Sequence, residues 1–147
     1  MTDSPLTVAN LTADLTAEQQ ALDDVVAGLD PDAWDTATAS PRWTVGDQIA
    51  HLTYFDATAT LAITDPDGFR SVVDGLIGVA RDGEEVIDDL TMGAYRRLTP
   101  PERLAAWRDG RQRLAEAAGT LADDARVPWY GPSMGARSFL TARLMEV

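Results

Sequence analysis

The 147-residue chain has no cysteine, no lysine and a single histidine. Without cysteine there can be no disulfide, no thiolate metal ligand and no cysteine nucleophile. Any sulfur chemistry would have to arrive with a bound small molecule. All 12 basic residues are arginine, against 24 acids, and the net charge is −12. So acidic a chain, with no basic stripe, argues against a nucleic-acid partner and against an anionic membrane surface. No apolar run approaches the roughly 18 residues of a membrane span. The opening "MTDSPLTVAN" lacks the basic and apolar segments of a signal peptide, so a cytoplasmic location is expected.

What is present reads as helix. Hydrophobic residues make up 45% of the chain, enough for one core in one domain. Four principal helices are expected, at about 5–28, 44–64, 100–122 and 134–147, which makes an all-α, four-helix bundle. The first should open with Ser4 as cap and Pro5 at the first helical position. Its inner stripe would be Leu11, Leu15, Leu22, Val25, Val26 and Leu29. In the second, Thr44 and Asp47 have capping-box spacing, and Trp43 precedes the cap as a hydrophobic staple would. Ile49, Leu52, Phe55, Ala59 and Ala62 follow as its stripe, and "DPDG" at 65–68 stops it. Residues 69–97 read as helical but interrupted by glycine, in two shorter pieces that could be a helix and a mobile excursion. Thr99, Pro100 and Glu102 start another helix, with Leu104, Trp107, the stem of Arg111, Leu114, Ala118 and Leu121 facing inward. "ARVPWYGPSMG" is a loop without strand character, and Ser133 is the expected cap of the last helix. There Phe139, Ala142 and either Leu144 or Met145 should face the core.

Two residues invite a chemical reading. His51 lies on the flank of the second helix's apolar stripe, pointing to one edge of the bundle interior. It is either a hydrogen-bonded boundary residue or a metal ligand. Glu146 shares a helix face with Ala142 and Phe139, where an unpaired carboxylate would be costly. It is either solvated or paired with a metal or another cation. Bundles build metal sites from inward His and Glu side chains on facing helices, and catalytic zinc needs three protein ligands. Only two candidates stand out, so Asp56 or another carboxylate would have to serve as the third. Asp47, four residues before His51, could orient the imidazole, although its spacing from Thr44 favours a cap.

"WTVGDQIAHL" (Trp43 to Leu52), followed by "GPSMGARSFLTARLMEV" (Gly131 to Val147), resembles the mycothiol-dependent maleylpyruvate isomerase family's metal-binding N-terminal domain. That domain belongs to the DinB/YfiT-like superfamily of four-helix bundles. The resemblance implies a divalent metal, typically zinc, held by His51 and Glu146. It also implies a histidine four residues after the glutamate, which would fall past Val147. The expectation is therefore an N-terminal piece that lacks one ligand and the family's C-terminal continuation. Mycothiol would supply the thiol that the chain lacks. The metal would hold it as a thiolate for addition to a small electrophile, in an isomerase or a thiol S-transferase.

Around such a site, Trp129, Tyr130 and Met134 could wall a substrate pocket, although aromatic residues also commonly close bundle ends. Arg137 and Arg143 could meet a carboxylated substrate, with surface ion pairing the favoured role for both. The alternative is a non-catalytic bundle, a small-molecule binder or homodimerising module with a vestigial metal site. In that case Leu140, Leu144 and Val147 would be exposed for self-association.

Overall fold

A computed structural model describes residues 5–147. Among these the chain forms six helices: α1 (Val8–Val26), α2 (Val45–Thr64), α3 (Pro66–Ala80), α4 (Glu84–Arg96), α5 (Pro100–Ala118) and α6 (Ala136–Glu146). A 3-10 turn, Pro31–Asp35, links α1 to α2. Helices α1, α2, α5 and α6 make the bundle: α2 lies along α5, and α1 packs on both α5 and α6. The α3–α4 pair flanks it, resting on α2. The expected all-α bundle is thus present, with two further helices beside it. None of the described helices is long and apolar enough to cross a membrane.

Local chemistry explains most boundaries. Thr7, not Ser4, caps α1, its hydroxyl accepting from the Asn10 amide; Ser4 lies outside the described residues. Pro5 precedes the helix instead of starting it. Thr44–Asp47 and Thr99–Glu102 both form reciprocal capping boxes, which satisfy the otherwise unpaired first-turn amides. "DPDG" ends α2 and also begins α3. Asp65 closes the first helix with its amide and caps the second with its carboxylate, which accepts from the Gly68 amide. Residues 126–135, expected to be loop, contain a two-residue antiparallel ladder pairing Arg126–Val127 with Met134–Gly135. The backbone of that ladder runs straight into α6, so Gly135 occupies the cap position and Ser133 does not.

Two apolar clusters fill the interior. One gathers Leu11, Leu15, Ala59, Phe69, Leu114, Phe139 and Leu140; the other centres on Val26, Trp34, Ile49, Leu52 and Trp107. The inner stripes of α2 and α5 are largely as the periodicity indicates. That of α1 is not: Val25 is 62% exposed, while Gln19 and Asp23 are buried in its place. Leu29 is also exposed.

Those two polar residues belong to a buried network joining all four bundle helices. Arg108 of α5 donates to both carboxylate oxygens of Asp23, each at 2.7 Å, and holds that carboxyl below the usual aspartate range against the opposing effect of burial. Arg111 reaches Asp23 at 2.9 Å and donates to the Gln19 carbonyl at 2.7 Å, its guanidinium lying over the Trp107 ring. The Gln19 amide donates to Asp56 Oδ2 on α2 at 3.3 Å, and Arg143 of α6 donates to Asp56 Oδ1 at 3.0 Å.

Candidate functional site

The segment before α2 sets the position of His51. Thr38 donates to the Trp43 carbonyl from both its amide and its hydroxyl, and Ala37 pairs with Thr44 as an isolated bridge. Arg42 takes a left-handed conformation, φ 69°, that non-glycine residues seldom adopt. Its guanidinium is tied to Glu84 and Asp88 of α4, both at 2.9 Å, which pins the turn. Trp43 then donates from Nε1 to Asp88 at 3.1 Å. Gly46 has a steric role. A methyl group there would run into the Arg103 guanidinium and approach the Trp34 carbonyl oxygen to 3.2 Å. Arg103 fills that space because it donates to the Tyr95, Arg96 and Leu98 carbonyls at the end of α4.

His51 sits in the second turn of α2 between two aromatic rings. Its imidazole centroid is 4.9 Å from the Trp43 ring and 4.6 Å from Phe55. Trp43 therefore packs on the histidine and not as a staple within the first turn. Burial pushes the imidazole pKa below its ordinary 6.5, and the neighbouring Glu146 only partly restores it. The ring is therefore neutral near pH 7, with a lone pair available on one nitrogen. Nε2 lies 3.5 Å from Glu146 Oε2, and the two side chains are 22% and 49% exposed.

Asp47 does not touch this pair through either hydrogen bond it makes. Oδ2 accepts from the Thr44 amide at 3.0 Å and Oδ1 from Arg96 Nε at 2.9 Å. Burial works against its ionisation, but those two donors outweigh it and keep the carboxyl below its usual range. It caps α2 and anchors α4.

Next to Phe55 the aromatic surface continues inward. Tyr130 meets Phe55 at 5.4 Å and Phe69 at 5.3 Å, and its hydroxyl donates to Thr58 Oγ1 at 3.0 Å. Burial raises the Tyr130 phenol far above its ordinary value, so it stays a neutral donor. Trp129 stacks flat on Phe69 and meets Phe139 edge-on. Both rings of the 126–135 segment thus close one end of the core while Tyr130 also borders the His51 side. Met134 packs into the core from the ladder.

Arg143 is a correction. Surface pairing was expected, yet it is 4% exposed and bonded to Asp56, itself 2% exposed. Its guanidinium carbon lies 5.7 Å from the Trp129 ring centroid. It can meet no substrate in solution. Leu140, Leu144 and Val147, which the non-catalytic alternative would expose, are not free: Leu140 is fully buried, and Leu144 and Val147 pack against the core. The exposed apolar residue of α6 is Met145, at 83%. Reading the sequence missed the Asp56–Arg143 pair, although it carries a signal: Asp56 interrupts the apolar stripe Ile49, Leu52, Ala59, and Arg143 follows Phe139 and Leu140 at helical spacing. Two opposite charges on two inward faces imply each other.

A group of three or more His, Cys, Asp or Glu side chains able to hold a metal is absent among the described residues. His51 and Glu146 match zinc's preference for imidazole nitrogen and carboxylate oxygen, but as a donor set they are one short of three.

Comparison with known proteins fits this picture. Residues 15–147 match the model of the mycothiol maleylpyruvate isomerase N-terminal domain. Two uncharacterized Mycobacterium tuberculosis proteins, one from strain CDC 1551 and one from strain H37Rv, are each 39% identical over 134 residues. That alignment covers 91% of this chain and 51% of each relative, so the chain spans about half the length of the curated relatives it matches. No solved structure matches it significantly. With a helical bundle, a histidine and a glutamate facing each other across α2 and α6, and a family match over nearly the whole sequence, the chain belongs to the mycothiol maleylpyruvate isomerase N-terminal domain family.

Proposed function

We propose that this domain handles a metal and a thiol cosubstrate for an isomerase or thiol S-transferase acting on a small electrophile. His51 and Glu146 are its two metal donors, zinc the expected ion and mycothiol the expected thiol. The observation that carries the reading is the approach of His51 Nε2 to Glu146 Oε2 at 3.5 Å across α2 and α6.

Three features support it. Desolvation keeps the imidazole neutral, which is the form that binds metal. Trp43 and Phe55 fix the ring plane from both sides, so little rotamer freedom is left to lose on ligation. Both donors are accessible enough to exchange ligands. A bound divalent ion would lower the pKa of a thiol and keep it as the nucleophilic thiolate. The chain's own part is to hold two donors and exclude water with the Trp43–Phe55–Tyr130 surface. With two donors among the described residues, one short of a catalytic zinc site, metal affinity should be weak.

Titrating the purified chain with cobalt(II), a spectroscopic stand-in for zinc, tests this. Visible d–d bands should grow with added metal and vanish in His51→Ala. Bands that persist unchanged in that variant, or never appear at millimolar metal, would rule out the assignment.

A further inference from the structure

We infer that Asp56 and Arg143 are positioning residues for the His51–Glu146 pair, setting where α6 presents Glu146 opposite α2. The inference rests on the metal reading only for its functional meaning; the positioning itself is a property of the metal-free chain.

The argument begins with how α6 is held. Its close packing is against α1 and the β-ladder, and its polar links to α2 are made by side chains. Within the turn that carries Glu146, Arg143 is the fully buried member; Leu144 is half-buried, and Met145 and Glu146 are exposed. Arg143, three residues earlier on adjoining helix surface, is therefore the most deeply buried hold on the position of Glu146, beside the partly buried Leu144 and Val147. Arg143 is held on two sides. Its Nη2 donates to Asp56 Oδ1 at 3.0 Å, and its guanidinium lies by the Trp129 ring. Asp56 is itself fixed from a third helix by the Gln19 amide. On α2, Asp56 lies five residues beyond His51, so α2 carries one member of each pair and α6 carries the other.

The energetics favour geometry over stability as the purpose. A buried ion pair loses about as much in desolvation as it gains in attraction, and apolar replacements of similar volume often match or exceed it. Here the balance is poor, because Arg143 Nε is buried with no hydrogen-bond partner. A core selected only for stability would place leucine and methionine at 56 and 143. What an ion pair adds is a directional contact that admits one register of α6 against α2.

The test compares metal-free protein by NMR, where the lone histidine gives an unambiguous ring signal. Native protein should show cross-peaks between the His51 ring protons and the Glu146 side-chain protons. In the double variant Asp56→Leu/Arg143→Met, thermal unfolding should stay cooperative with an unchanged or higher midpoint, while those cross-peaks disappear and cobalt affinity falls about ten-fold. Arg143→Lys provides a milder arm if the double variant does not fold. It keeps the charge but loses the planar contact with Trp129, and should weaken the cross-peaks by about two-fold. Full cross-peaks in a folded double variant or in Arg143→Lys would overturn the positioning role, as would their absence from native protein. Native protein that shows the cross-peaks but binds no cobalt would overturn the metal reading alone.

Discussion

Asp56–Arg143 and His51–Glu146 connect the same two helices, yet the first pair is 2% and 4% exposed and the second 22% and 49%. In the buried pair, Asp56 has given one oxygen to Arg143 and the other to Gln19. Neither oxygen is open to solvent. In the open pair, the imidazole has one polar neighbour at the long distance of 3.5 Å, and the Glu146 carboxylate faces solvent on its other side. Groups that coordinate must be able to exchange partners, and groups that set geometry must not. Side by side across α2 and α6, the two pairs divide those tasks, and each should respond to mutation in the opposite way.

The largest effect is expected at Arg143. Arg143→Ala leaves Asp56 buried without its cation, which typically costs about 3–5 kcal/mol. For a domain of this size that is a fall in unfolding midpoint of roughly 10 °C, measurable by circular dichroism. Asp56→Ala should cost a similar amount. Single replacements that leave the midpoint unchanged would mean the pair is not sealed.

Gly46→Ala comes next and serves as a control. The added methyl group forces the Arg103 guanidinium aside and crowds the Trp34 carbonyl, for about 1–3 kcal/mol. It weakens the start of α2 without touching either pair. The His51–Glu146 cross-peaks should survive in it at full strength. If they are lost here as well, any destabilisation scrambles the site and the Arg143 result says nothing specific.

The same division explains what could be read from the sequence. The bundle was legible because apolar residues recur at 3.6-residue spacing and caps such as Thr44–Asp47 are local signals. His51 and Glu146 stood out as polar residues on inward faces. The α1 stripe was misjudged because Val25 and Leu29 look more apolar than Gln19 and Asp23, and only the arginines of α5 make the latter pair cheap to bury. Arg143 was misplaced for the same reason: its partner lies 87 residues away on another helix. That each charge lies on an inward face is visible locally, but which residue 87 positions away pairs with it is not. Asp47 went the other way, its helix-capping role being legible and its bond to Arg96 not.

A pH test separates the pairs more finely. Burial holds the His51 imidazole below its ordinary 6.5, so the folded chain binds that proton less readily than the unfolded chain does. The unfolded state thus takes up more protons below about pH 6.5, and stability must fall as pH drops from there toward the folded value. Carboxylates also titrate in this range, so the comparison is with His51→Gln. The drop in unfolding midpoint between pH 7.5 and 5.5 should be smaller in that variant. An equal drop would mean that the imidazole is as readily protonated folded as unfolded.

Glu146→Gln should have the smallest effect on folding and is the sharpest contrast to Arg143→Ala. A half-exposed carboxylate at 3.5 Å from a neutral imidazole gains little from that contact, since exposed pairs contribute about 0–1 kcal/mol even when both partners are charged. The amide keeps the shape and hydrogen-bonding reach of the side chain, so the unfolding midpoint should hold within experimental error. Metal binding should not survive, because the substitution removes the anionic donor from a set of only two. The cobalt bands are therefore expected to vanish in a protein as stable as the native one. Were Glu146→Gln to unfold the domain, Glu146 would be a structural partner of His51 and not a ligand held in waiting. Were it to bind cobalt unchanged, the second donor would have to be sought elsewhere on the rim around His51.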